Sequence, residues 1–175
     1  MRARVLRVVA LIALVMTATG GCSSLWSLSG SRPPVPLSQQ TLVEVKADVK
    51  AIEQELIMFV PPELVDGPVE SAGGSTLGCR TGGASWGSHT SVPVTSQPDL
   101  DEFASDLEAT WDRAGEFDVD LTEASTGDPR LVLTSPSLGR YYVERVEEFL
   151  QVASFSTCFA YDVERDGERW EIAAE

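Results

Sequence analysis

TLVEVKADVKAIEQELIMFVPP, residues 41–62, is the stretch from which the fold of this chain can be read. Thr41 followed three residues later by Glu44 is a capping box, in which each side chain satisfies a backbone N–H of the first helical turn. Leu42, Val45, Val49, Ile52, Leu56 and Phe59 then recur at steps of three and four. That spacing puts all six on one helical stripe, which calls for a core to bury it. Lys46, Asp48, Lys50, Glu53 and Glu55 fall on the other faces. Pro61-Pro62 ends the helix, because proline lacks the N–H that the next turn requires.

Toward the C-terminus, residues 63–75 are rich in Pro, Gly and Ser and read as irregular. Residues 76–94 read as an extended segment interrupted by Gly78, Gly82, Gly83 and Gly87, with Cys79 and Trp86 pointing inward. A second helix starts near residues 96–99, with Pro98 in its first turn. It buries Leu100, Phe103, Leu107, Trp111 and Ala114 and stops at Gly115 as its C′ residue.

Phe117, Val119 and Leu121 alternate with Asp118 and Asp120, the period of a half-buried strand. Leu131 and Leu133 belong to another strand, after the turn at residues 126–129. Residues 140–153 carry two patterns. Tyr142, Val146, Phe149 and Ala153 have helical spacing, whereas Tyr141, Tyr142, Val143, Val152 and Phe155 favour strands. The reading adopted is a hairpin turning near Glu147-Glu148. In the tail, Asp166-Gly167 signals a hairpin turn, followed by Trp170 and Ile172. The sum is an α+β fold. Two helices pack on one face of a mostly antiparallel sheet, in the order α-β-α-β-β-β(-β).

Toward the N-terminus, Arg2, Arg4 and Arg7 precede an apolar run over residues 8–16, then small residues at 17–21, then Cys22. This is the layout of a signal peptide. The apolar run has about half the length that a bilayer-spanning helix needs. Gly20-Gly21-Cys22 resembles the lipobox of bacterial lipoproteins, with Thr19 where that pattern usually has Leu. The resemblance implies cleavage before Cys22 and a diacylglycerol thioether on its sulfur, with further acyl groups such as palmitate. Residues 1–21 are then the signal peptide and 22–37 a lipidated cysteine with a Ser-, Gly- and Pro-rich spacer. Residues 38–175 form a single extracytoplasmic domain.

Charge narrows the partners. The chain carries −14, and loss of residues 1–21 removes three arginines and no acid, giving −17. Nucleic acid is excluded as a partner, since binding phosphates requires Lys and Arg. An acidic domain is also repelled by an anionic membrane surface, so the membrane contact is the lipid on Cys22. Cys79 and Cys158 remain as an even pair in an exported chain, for which a disulfide is the default; a redox-active or metal-binding pair is the alternative.

The layout resembles the small envelope lipoproteins of actinobacteria, the mycobacterial LppA-like group among them. The features that carry this are Cys22, the short spacer and the helix before Gly78-Cys79. The helix ending at Gly115 and the segment Ser156-Thr157-Cys158-Phe159 complete it. The resemblance implies fold and location and no activity.

Chemistry is sparse in the sequence. His89 is the only histidine, with Ser85, Ser88 and Ser91 near it and no nucleophile elbow. Asp118, Asp120 and Glu123 lack the spacing of a calcium loop. Gly82-Gly83 lacks the lysine and hydroxyl of a phosphate loop. No catalytic residue, metal ligand or cofactor is assigned. The functional expectation is a non-enzymatic, lipid-anchored module at the extracytoplasmic face of the cell membrane. It would bind or support another envelope component, such as a protein partner. The alternatives are an enzyme acting on envelope material, or an acidic inhibitor of a basic secreted protein.

Overall fold

The computed structural model describes residues 36–80 and 82–167. The expectations for residues 1–21, for Cys22 and for Trp170 and Ile172 lie outside the described residues.

Helix α1 spans Leu42–Ile57 and begins with the capping box: Glu44 N–H donates to Thr41 Oγ1 at 3.2 Å, and Thr41 N–H donates to Glu44 Oε2 at 2.8 Å. These bonds from Thr41, the backbone one first, hold the Glu44 carboxyl below the usual range. A further orphan donor of this terminus, Leu42 N–H, is satisfied at long range by Asp166 Oδ1 at 3.0 Å. Helix α2 spans Leu100–Thr110, capped by Asp99, whose carboxylate accepts from Asp101 and Glu102 N–H.

The strands are β1 (Glu70–Ser71), β2 (Ser75–Gly78), β3 (Ala84–Pro93), β4 (Asp118–Glu123), β5 (Pro129–Ser135), β6 (Gly139–Val146) and β7 (Phe149–Phe155). They form one antiparallel sheet in the order β1-β3-β7-β6-β5-β4, with β2 also pairing with β3. A four-residue helix, α3 (Val163–Asp166), follows. The fold is therefore α+β, as the pattern of the sequence predicts.

One row across the sheet shows how the core is built. Thr90, Val152, Val143, Leu131 and Leu121 are successive cross-strand partners, and the first four sit under the helices. Val143, Val152, Leu131 and Leu133 are wholly buried, each contributing about 1.5–3 kcal/mol by leaving water. Helix α1 lies over β3 and β7, and α2 over β4 and β5. The helices are joined where Trp111 Nε1 donates to Glu55 at 2.9 Å and Arg113 Nε to the same oxygen at 3.0 Å. Below that joint Trp111 stacks on Phe117, which meets Tyr141 edge-on, with ring centroids 5.0 and 5.7 Å apart.

Residues 140–153 resolve as a hairpin. Strands β6 and β7 meet at the two-residue loop Glu147-Glu148, with Glu147 at φ 56°. Strand pairing decides against the helical spacing, because Tyr141, Val143, Leu150 and Val152 fill one face when read at period two.

Several boundaries differ from expectation. Residues 76–94 are two strands, and the glycines at 82 and 83, both at positive φ, let the chain reverse between β2 and β3. Residues 63–75 are not wholly irregular, since β1 and a 3-10 turn at Pro62–Leu64 lie there. Pro98 precedes the cap of α2, and that helix ends at Thr110, so Gly115 sits in a later 3-10 turn, Ala114–Glu116. Asp166-Gly167 closes α3 rather than a hairpin, with Gly167 at φ 80°.

Cys79 and Cys158 form a disulfide with their Cα atoms 6.2 Å apart. It joins the turn after β2 to the segment after β7. The chain enters the domain beside it: Ser38 N–H donates to Cys158 O at 3.0 Å, and Ala160 N–H to Ser38 O at 2.8 Å.

Candidate functional site

Glu53 is 2% exposed, although it belongs to the set of α1 residues expected outside the buried stripe. It faces β3 and β7, and three hydroxyls converge on its carboxylate. Ser88 Oγ donates to Oε1 at 2.7 Å, Thr90 Oγ1 to Oε2 at 2.7 Å, and Ser154 Oγ also to Oε1. Ser71 Oγ extends the cluster to Thr90 Oγ1 at 3.2 Å. Hydrogen bonds to a charged group are worth roughly 1.5–3 kcal/mol each, which offsets much of the several kcal/mol needed to strip a carboxylate of water.

Glu53, Ser71 and Ser88 line a small cleft of about 170 Å³ between α1, β3 and the chain linking β1 to β2, with Thr90 and Ser154 buried behind them. Lys46 and Lys50, two turns and one turn before Glu53, flank it, and Trp86 forms a wall. Lys46 Nζ sits 4.7 Å from the centre of the Trp86 ring, a cation–π contact. Gly74 lies flat on that indole. A Cβ there would be 2.3 Å from the ring, so only glycine lets the backbone approach so closely.

Tyr141 lies in the register position next to Ser154 and completes the buried polar patch. Burial, and then the charge of Glu53, push its phenol well above its usual range. It stays a donor, to Leu138 O at 3.3 Å. The arrangement is suited to fixing charge and orientation: a carboxylate held on both oxygens, an aromatic wall and two ammonium groups.

Other candidate residues do not converge. His89 lies on the opposite side of the sheet from Ser88 and Glu53, across from Ala153. Ser85 donates to Ser156 O at 2.7 Å, Ser88 donates to Glu53, and Ser91 accepts from Gln151 Nε2 at 3.4 Å. None of the three is hydrogen-bonded to His89. Strand alternation sends Glu123 to the other side of β4 from Asp118 and Asp120. Among the described residues no group of three or more His, Cys, Asp and Glu is arranged to hold a metal ion, and no helix is long and apolar enough to cross a membrane.

Sequence reasoning missed Glu53 with Ser88, Thr90 and Ser154. A signal existed: Glu53 follows Val49 by four residues and precedes Leu56 by three, so it borders the buried stripe.

The described residues thus define a two-layer α+β domain stapled by one disulfide, with a hydroxyl-bound buried carboxylate. No family model matches the chain, and no curated protein matches it. Among solved structures, the crystal structure of a DUF4853 family protein from Actinomyces odontolyticus is similar, with 19% identity over 73% of this chain and 74% of that one and a TM-score of 0.43.

Proposed function

We propose that this chain is a lipid-anchored extracytoplasmic binding module without catalytic activity, tethered through Cys22 and related to the small actinobacterial envelope lipoproteins. The observation that carries the reading is the Cys79–Cys158 disulfide. Such bonds persist in oxidising compartments and are rare in the cytosol, which agrees with the export signal read in residues 2–22. The binding role draws on the hydroxyl cluster. Ser88, Thr90 and Ser154 all donate to Glu53, and the sheet separates His89 from them, so these groups build a fixed polar surface rather than a proton relay.

Metabolic labelling with a clickable palmitate analogue, followed by membrane fractionation, tests the anchor. The wild-type chain should be labelled and sediment with membranes, and Cys22→Ala should be unlabelled and released. An unlabelled wild-type chain would refute the tether.

A further inference from the structure

The face of the sheet turned away from the helices carries its own constellation. Arg140 on β6 is the direct cross-strand partner of Phe155 on β7, so their side chains leave the sheet about 5 Å apart. Phe155 is 41% exposed, unusual for a phenylalanine on a strand between two others. Its ring meets Tyr142 edge-on, with centroids 6.1 Å apart, and the Arg130 guanidinium lies 4.9 Å from the centre of the Tyr142 ring. Arg140, Tyr142 and Phe155 border an open depression of about 470 Å³ whose rim includes Thr134 and Ser156. The volume falls in the range of small-ligand sites, which run roughly 300–1,000 Å³. Gly139 keeps the floor low. At φ 99° its missing Cβ would stand 2.1 Å from Phe155 O, so no side chain can fill the space.

One donor bordering the depression is unspent. Arg140 is exposed and makes no hydrogen bond or ion pair with the described residues. Arg130 Nε is buried and has no hydrogen-bond partner among them, although Arg130 Nη1 reaches Glu144 at 4.0 Å. In a chain with 27 acids and 13 basic residues, an arginine left unpaired beside an exposed ring selects an anion. The site is too small for a charged surface, and Asp118, Asp120 and Glu144 on the same face oppose an anionic membrane. A single ring with one charge fits. The apolar face of a pyranose would pack on Phe155, its acid would pair with Arg140, and a ring hydroxyl would reach Thr134.

We propose that this open face binds an acidic glycan through a sugar ring bearing a carboxylate or phosphate. The proposal gives the binding module a separate surface, on the side of the sheet opposite the Glu53 cluster, and its test does not depend on lipidation. The full chain is titrated with tetragalacturonate, with the methyl-esterified neutral tetramer and with mannose 6-phosphate, and followed by calorimetry and by NMR shifts. Binding of tetragalacturonate assigns the charge to a carboxylate, and binding of mannose 6-phosphate assigns it to a phosphate. Shifts should centre on residues 140, 142 and 155, and Arg140→Gln should weaken binding at least tenfold. Phe155→Ala should weaken it as well; its unchanged circular dichroism serves as the control for folding. Equal binding of neutral and charged tetramers, no binding of any probe, or unchanged affinity in Arg140→Gln would overturn the proposal. So would a wild-type dimer, seen by sedimentation, that dissociates in Phe155→Ala, because the face would then belong to a second copy.

Discussion

Glu53 shows how one residue reverses its expected role. Its carboxylate is buried because three hydroxyls on two strands receive it. Removing it strands those donors, and each buried unpaired group costs about 1–3 kcal/mol. Ser154 can turn to Ser88 O, 3.2 Å away, so part of the loss is recovered. Glu53→Ala should therefore lower stability by about 3 kcal/mol in urea unfolding. Replacing the whole cluster, Glu53→Met with Ser88→Ala, Thr90→Val and Ser154→Ala, should return the domain to within about 1 kcal/mol of wild type, since removing both partners leaves nothing unsatisfied. A single variant as stable as wild type would show that the cluster is structurally idle.

Among the elements, α1 has ends that are linked over long distance. Burial raises the Asp166 carboxyl, but the Arg165 side chain and the backbone N–H groups of Leu42 and Asp162 outweigh that effect and hold it at about 2. The ordinary value is 3.8, so the folded state prefers the charged form. Its stabilisation is present above about pH 4 and fades as pH falls toward 2. Asp166→Asn should melt below wild type at pH 7, and the two melting temperatures should converge over that acid window. A gap that stays constant down to pH 2 would remove the linkage. This clasp was not legible in the sequence, where Asp166-Gly167 reads as a turn and nothing ties it to residue 42. The helices were legible, because their apolar stripes and the Thr41 cap are local. So was the β6–β7 hairpin, once period-two burial was weighed against the helical spacing. The β2–β3 reversal was not, because Gly82-Gly83 inside a Ser- and Gly-rich stretch looks the same in a bulged strand as in a turn. Glu53 escaped because helical geometry left it on a boundary that only the opposing serines and threonine settle.

On the scale of the whole molecule, the disulfide closes a separation of 79 residues. The chain-entropy argument gives ~4.5 kcal/mol for such a loop, and native bridges in small domains usually yield about 2–5 kcal/mol. Denaturant unfolding with and without reductant should show a loss in that range, matched by Cys79→Ser with Cys158→Ser. A loss below 1 kcal/mol would mean that the sheet holds the two segments unaided. Among the described residues the helices cover one side of the sheet, and Arg130 and Arg140 lie on the other.

The chain joins the domain at Ser38, hydrogen-bonded on both sides to the segment around Cys158. Tension applied to the amino-terminal end therefore arrives at Cys158 itself, whose crosslink passes part of it to the β2–β3 turn while those hydrogen bonds hold. Pulling from that end would load these two hydrogen bonds first, and once they part the covalent path runs directly into α1 at Leu42. The pair at Ser38 is therefore a latch on the first helix, and its rupture would be the first event when the amino-terminal end is pulled.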